Sequence, residues 1–582
     1  MKFFSAVMNY IPQQRGPAGI RILLLTLALV AGVFVQSAKA DAIKTVGNTG
    51  ANYATLGAAF TAINIGNITG AITLQIISGT SEGASAVLNA SGGSASYTSV
   101  TIYPTVTSCY ITGNLLAPLI DLNGADNVTI NGSLNGGNTG TDLFIRNQNY
   151  NASSYYVTGS TIRFINDATN NTVKYCNIWG NEVDFYTGIL LFSSTTGTTG
   201  NDGNTIDHNN ITCDPTVGYR PYNAIYSSGT SGKANSENTI SNNNIYNFIA
   251  FGSSYSTGIN LASNNTAWTI SGNSFYETYT LSPSPPSNYS ALYFLMISSG
   301  INYTITGNYF GGRAPLCAGT ALTKTAAQNN PFYAMYLSFE TGTASSIQGN
   351  TIKNISWSNS GNYGFYGMDI LAGSVNIGTV TGNTIGAATG TDSINYSAGA
   401  TDGNFYGIYN ISTGITDCQN NTIGSITTAN SAGGATNFYG IYRTVSGGTT
   451  TISTNTIGSL STANSINATS ASSAASQTVY GIRCSATGAN TISGNTIANL
   501  TNATSYNTGS VVTGLYCNVG LTASTVSKNF ITSLAATGGS TTANIYGVQI
   551  ATGYAGATTW SNNIISLAEI PLQLFTAFTK QV

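Results

Sequence analysis

One seven-residue stretch, Thr491-Ile492-Ser493-Gly494-Asn495-Thr496-Ile497, recurs along most of this chain and limits what it can fold into. The pattern is an apolar residue, an Asn three positions later, and a second apolar residue five positions after the first. The Asn residues are Asn209, Asn243, Asn273, Asn308, Asn350, Asn383, Asn421, Asn455, Asn495, Asn529 and Asn563. Eleven copies at intervals of 30 to 42 residues mark a solenoid. A unit this short cannot bury its apolar face alone, so it must stack on its neighbours.

A second element recurs with it: an aromatic residue, then Gly or Ala, then a long or branched apolar residue. Tyr366-Gly367-Met368, Tyr406-Gly407-Ile408 and Tyr439-Gly440-Ile441 are examples. The small residue falls at 188, 224, 258, 291, 334, 367, 407, 440, 481, 514 and 547, and five of those ten intervals are 33 residues. The basic coil is therefore about 33 residues, with insertions gathered at 277–290, 311–331, 387–404 and 461–478. Each coil reads as three short strands. One is Gly-Ile-Tyr-like, one ends at Thr-Ile before the Asn, and one follows the Asn.

Strand alternation then separates inside from outside. The first position after the small residue reads Ile189, Ile225, Ile259, Leu292, Met335, Met368, Ile408, Ile441, Ile482, Leu515 and Val548, an aliphatic ladder that must face inward. The next position reads Leu190, Tyr226, Asn260, Tyr293, Tyr336, Asp369, Tyr409, Tyr442, Arg483, Tyr516 and Gln549, and it faces out. Two positions in, Cys484 and Cys517 fall on adjacent coils. Reduced core thiols and a disulfide are both compatible with that spacing.

An Asn at one turn of every coil has a direct physical use. Stacked coils bring the amides about 4.8 Å apart, so each can bond the next and the backbone freed by the turn. Asn also tolerates the left-handed backbone such a turn needs. Cys176 stands at the Asn position of the first regular coil, so the ladder is expected to start at Asn209.

The ends differ from the middle. Leu56, Phe60 and Ile63 lie on one helical face and predict a short amphipathic helix that covers the open end of the stack. Residues 1–40 read as a secretory signal: Lys2, Arg15 and Arg21, an apolar run over 22–35, then Ala38-Lys39-Ala40 as the cleavage site. The run is short of the roughly 20 residues that span a bilayer, so the mature chain has no expected transmembrane segment. The organisation is signal 1–40, cap and first coils 41–160, regular coils 161–565, and an irregular end 566–582.

Composition narrows the partners. Charged residues are 6% of 582 and the net charge is −2, so no basic stripe exists for nucleic acid. The seven cysteines include no C-x-x-C pair, which leaves a zinc site without support; no metal or cofactor is expected. The sequence does not specify an oligomeric state.

Three strands per coil and an Asn ladder at a tight turn resemble the parallel β-helix of the pectate-lyase superfamily. The Tyr53-Ala54-Thr55-Leu56 helix is similar to that superfamily's N-terminal cap. Asn127-Val128-Thr129-Ile130-Asn131-Gly132 and Asn238-Thr239-Ile240-Ser241-Asn242-Asn243 look like its generic repeats. The chain also resembles large secreted Asn/Thr/Gly-rich proteins exported by bacteria through the type IX route, whose C-terminal sorting domain is not recognised here. The resemblance implies an all-β, right-handed parallel β-helix, with substrate or ligand lying along the outer face of the Gly-Ile-Tyr strand.

On that face Tyr226, Tyr293, Tyr336, Asp369, Tyr409, Tyr442, Arg483 and Tyr516 are the candidate ligand residues. A lyase would need clustered carboxylates and an Arg or Lys base, and a glycosidase two carboxyl groups roughly 5 to 10 Å apart. Asp369 and Arg483 lie three coils apart and do not form such a centre. The densest ionisable group is Asp202, Asp207, His208 and Asp214, a weaker catalytic candidate. The favoured function is a secreted or cell-surface structural or adhesive solenoid with polysaccharide or surface glycans as partners. The alternative is a polysaccharide lyase or glycoside hydrolase of the pectate-lyase superfamily.

Overall fold

The computed structural model describes residues 42–149, 159–250, 255–282, 291–298, 300–325, 328–399, 401–430, 432–472, 474–506, 508–518, 523–539, 542–551, 557–567 and 574–580, without the side chains of 255, 291–296 and 574–580. The export segment 1–40 lies outside the described residues. The described chain is a parallel β-solenoid. A first sheet of 16 strands runs from Ala42–Val46 to Thr558–Ser561, and a third of 15 strands from Ala86–Asn89 to Leu574–Lys580. The strands after the Asn turn form the second sheet.

Every coil contributes the same residue to the same column. Ile240 pairs with Ile270, then Ile305, Ile347 and Ile377 along the first sheet. Ile352, Ile385, Ile423, Ile457, Ile497 and Ile531 do so along the second. These side chains are fully buried or nearly so, and each contributes about 1.5–3 kcal/mol through loss of apolar surface. A phenylalanine column, Phe332, Phe365, Phe405 and Phe438, stacks inside the third sheet at 4.3, 4.7 and 5.4 Å between ring centres.

The three-strand coil holds for most of the chain, but the second sheet forks. Between Leu322–Lys324 and Ile466–Ser470 each coil carries an extra strand in what the sequence presents as variable insertion. The glycines of Thr384-Ile385-Gly386 and Thr456-Ile457-Gly458 adopt φ of 82° and 81° and turn the chain between the two columns. Where Ala498 follows Thr496-Ile497, the two segments fuse into one strand, Thr496–Thr504, bent at the left-handed Asn499.

The Asn turn is geometrically regular. Asn455 Nδ2 donates to Asn495 Oδ1 (3.0 Å) and to the Cys418 carbonyl (2.9 Å), while the Asn455 amide donates to the same Asn495 oxygen (3.0 Å). The same three bonds join successive residues from Asn209 to Asn563, and the Cys176 amide donates to Asn209 Oδ1 at 2.9 Å. The left-handed residue is not the Asn, as the sequence reading has it. It is the residue before: Asn242, Gly272, Gly307, Gly349, Asn420, Thr454, Gly494 and Lys528 all have φ between 55° and 66°. Extended Asn backbone keeps the amide pointing inward, and its neighbour absorbs the turn.

A shorter ladder, missed in the sequence, lies at the other end of the first-sheet strand. Asn171 Nδ2 donates to Asn204 Oδ1, and Asn204 Nδ2 to Asn238 Oδ1. Its signal is an Asn immediately before Thr-Val or Thr-Ile.

The helix α1, Leu56–Asn64, buries Leu56, Ala59, Phe60, Ala62 and Ile63. It also closes the free edge of Ala86–Asn89: Asn64 Nδ2 donates to the Val87 carbonyl, and the Asn89 amide to Asn64 Oδ1. At the other helix end the Glu82 carboxylate accepts from the Leu56 and Gly57 amides, favourable at the positive end of the helix dipole. Cys484 and Cys517 pair on adjacent strands as buried free thiols, and burial pushes Cys484 up to about 11. No helix among the described residues is long and apolar enough to cross a membrane.

Candidate binding surface

The outer face of the third sheet carries not one column of tyrosines but two. Strict alternation backward from the inward Ile441 would point Tyr439 into the core. The structure breaks the alternation at Gly440. A Cβ there would lie 2.9 Å from Ile457 Cγ2 and 2.5 Å from the Gly481 carbonyl oxygen, so Gly440 and Ile441 both turn inward. Pairing skips this position in coil after coil, joining Tyr406 to Tyr439 and Ile408 to Ile441. The bend acts like a β-bulge, resetting the phase of the strand. Residues three apart, Tyr439 and Tyr442, thereby share one face.

The resulting surface is a stack of rings. Tyr333, Tyr366, Tyr406, Tyr439 and Tyr480 follow one another at 4.7, 5.0, 5.0 and 5.5 Å, with planes within 22° of parallel. Beside them run Tyr336, Asp369, Tyr409, Tyr442, Arg483 and Tyr516, in register on successive coils. The columns touch across the bend: Tyr333–Tyr336 at 5.2 Å, Tyr406–Tyr409 at 4.8 Å and Tyr439–Tyr442 at 5.1 Å. Most of these rings are half-buried by one another.

Several expected positions are corrected. Tyr293 pairs with Thr257 and Tyr333, in the column before the bend, and Met296 takes the place between Asn260 and Tyr336. The strand is offset by three residues, because Phe294 rather than Ala291 stands at the bend. The Tyr293 side chain is outside the described residues. In the first regular coil, Leu190 pairs with the inward Ile225, and Leu191, not Leu190, pairs with Tyr226. Outward direction is also not exposure: Tyr226 is 6% exposed and Asp369 4%. Neighbouring side chains cover what alternation alone leaves open.

Two charged residues interrupt the tyrosines. The Arg483 guanidinium lies 4.9 to 5.9 Å from the ring centres of Tyr439, Tyr442, Tyr480 and Tyr516, a cation–π cage. Asp369 has no such complement. Burial pushes its carboxyl up to about 7, and its Oδ1 has no hydrogen-bond partner.

The weaker catalytic candidates are dispersed. His208 occupies the left-handed turn position, stacks on Tyr175 of the preceding coil at 4.9 Å, and bonds Asp207 at 2.7 Å. Asp207 also accepts from Ser241 and Asn242, and Asp202 from Ser236. Asp214 is buried against Arg146 and Thr216. Each carboxylate has its own structural partner. Among the described residues no three His, Cys, Asp or Glu side chains converge as metal ligands.

The arginines that look scattered in the sequence are largely structural. Arg163 pairs with Asp121, and Arg220 with the buried Glu277 at 2.8 Å. Arg443 points inside the coil, its guanidinium donating to Asn410 Oδ1, the Ser412 carbonyl and Thr450 Oγ1, and burial lowers it to about 10. Lys324 is likewise buried, donates to the Ser358 carbonyl and Asn359 Oδ1, and is lowered to about 7 by desolvation.

No protein-family model and no curated protein matches the chain. Among solved structures it is similar to PfbA, a surface adhesin of Streptococcus pneumoniae, at 12% identity and a TM-score of 0.30, over 71% of this chain and 88% of that chain. A superposition that loose does not bear on the tyrosine face.

Proposed function

We propose that this chain is an exported, cell-surface adhesive solenoid that holds glycans on the outer face of its third sheet. One observation carries the reading: a column of five stacked tyrosines, Tyr333 to Tyr480, beside a second column that is tyrosine in three of the same five coils, on one side of the stack. Tyrosine faces stack on the apolar faces of pyranose rings, and their hydroxyls, with nearby Asn and Thr, hydrogen-bond sugar hydroxyls. Repetition at the coil spacing suits a polymer better than a small molecule. Export rests on the sequence signal at 1–40 and surface placement on the function proposed.

The test is retention on immobilised polysaccharides by the wild-type chain and by Tyr409→Ala/Tyr442→Ala. Loss of the two rings costs stacking of roughly 0.2–1 kcal/mol each, small against the core of the solenoid. The double variant should remain folded and lose most of its retention. Equal retention by variant and wild type on every polysaccharide that binds would sink the reading. The lyase or glycosidase alternative has less support, because Asp369 is the one carboxylate in these two columns and Arg483 is three coils away. Release of unsaturated products or reducing ends from uronate polymers with calcium would reverse that preference.

A further inference from the structure

Asp369 and Arg483 occupy the same column of the tyrosine face, and each has a buried polar atom without a hydrogen-bond partner, but only Arg483 has its charge complemented by ring faces. Arg483 is a cation enclosed by four tyrosine rings. Asp369 sits between Tyr336 and Tyr409 on adjacent strands, with Tyr366 across the bend on its own strand. It is 4% exposed, and its Oδ1 is buried without a hydrogen-bond partner. No described Lys, Arg or His forms an ion pair with it. Its charge reaches the surrounding rings: burial first, and the Asp369 carboxylate in addition, raise the phenols of Tyr336, Tyr366 and Tyr409.

A buried carboxylate without a partner is costly, and the faces of the surrounding rings are themselves negative. Both features favour a positive group. A protonated amine supplies three donors on a compact head and gains further from the ring faces. Arg483 shows that the two columns accept an organic cation between tyrosines. A ring-bearing amine is favoured over a lysine side chain because Tyr406 and Tyr439 continue the stack beside Asp369. The faces of Tyr406 and Tyr439 are taken up by their column neighbours, so it is their outward edges and hydroxyls that flank the pyranose while its amine turns toward the carboxylate.

We propose that Asp369, with Tyr336, Tyr366 and Tyr409, receives the ammonium of a de-N-acetylated amino sugar within the bound glycan. This inference rests on the glycan-binding function proposed above. The experiment titrates the full chain, by calorimetry, with a glucosamine oligomer, with the same oligomer fully N-acetylated, and with a lysine-rich peptide. The wild type should bind the free-amine oligomer about tenfold or more tighter than the acetylated one, the range of one charge-assisted hydrogen bond. Asp369→Asn, which keeps the side-chain size, should abolish that preference, so that the free-amine oligomer binds no tighter than the acetylated one.

A preference that survives Asp369→Asn overturns the inference while the glycan reading stands. So does equal binding of both oligomers by the wild type, or binding of the peptide with no preference between the sugars. Failure of both oligomers and of the polysaccharide retention test removes the glycan reading and this inference with it.

Discussion

At the residue scale, an Asn of the ladder is a small hydrogen-bonding machine with no spare atom. Replacing Asn455 by Ala removes the partner of the Asn421 amide, one bond of the Asn421 side-chain nitrogen (which keeps the Ile377 and Gln419 carbonyls), a donor to the Cys418 carbonyl and a donor to Asn495 Oδ1. Each buried orphan costs roughly 1–3 kcal/mol. Allowing for relaxation, Asn455→Ala should lose about 3 kcal/mol, read as a lower denaturation midpoint; Asn455→Asp should also lose stability, because it keeps the acceptor but not the donor. Asp369 behaves differently. Burial pushes its carboxyl up to about 7, against about 4 in an unfolded chain. Folded protein therefore binds the extra proton between those values, and wild-type stability falls as pH rises from about 4 through about 7. The groups facing it, Tyr336, Tyr366 and Tyr409, remain protonated over that range. Asp369→Asn should be more stable than wild type at pH 8, with the gap in melting temperature closing toward pH 4. A gap independent of pH would show that the carboxylate is not held in its protonated form.

At the scale of the element, two glycines that look alike in the repeat do different jobs. Gly494 precedes a ladder Asn at φ 66°, and a Cβ would meet Thr454 Cγ2 and N at an ordinary 3.5 and 3.9 Å. Ala there costs backbone strain of roughly 1–2 kcal/mol and no clash. Gly440 has no such strain, but a Cβ would press on Ile457 and on the Gly481 carbonyl, an overpacking cost of roughly 1–3 kcal/mol. A double-mutant cycle separates the two causes. Ile457→Ala, which removes the Cγ1 and Cγ2 atoms that a Cβ at Gly440 would meet, should recover part of the loss in Gly440→Ala and none of that in Gly494→Ala. Recovery in both, or in neither, would contradict the assignment of the Gly440 bend to packing. The same bend explains why the tyrosine face was only half legible in the sequence. Alternation carried forward from Ile441 finds Tyr442 correctly, but carried backward it sends Tyr439 to the wrong side.

At the scale of the whole molecule, stability is passed between neighbouring coils rather than around a single core. The cap α1 should therefore protect what lies near it. Phe60 is fully buried, and Phe60→Ala should cost about 3–5 kcal/mol. Amide exchange should rise in the first coils, around Ala86–Asn89 and Ile120–Asn123, and stay at wild-type rates beyond Asn455. A uniform rise along the chain would contradict nearest-neighbour coupling.

The sequence by itself determined the solenoid, its coil length, the Asn ladder and the aliphatic interior. These follow from period and side-chain type, which repeat at fixed spacing and need no knowledge of neighbours. It also placed Asp369 and Arg483 in one column. Only the tertiary structure decided which tyrosines share a face, where Tyr293 pairs, and that Asp369 is covered. A bend that shifts alternation by one residue, and the shielding of one side chain by the next coil, are properties of stacked strands. Alternation along one strand reads neither, because the bend packs on Ile457 and on the Gly481 carbonyl of the next coil, and Asp369 lies between Tyr336 and Tyr409 of the adjacent strands.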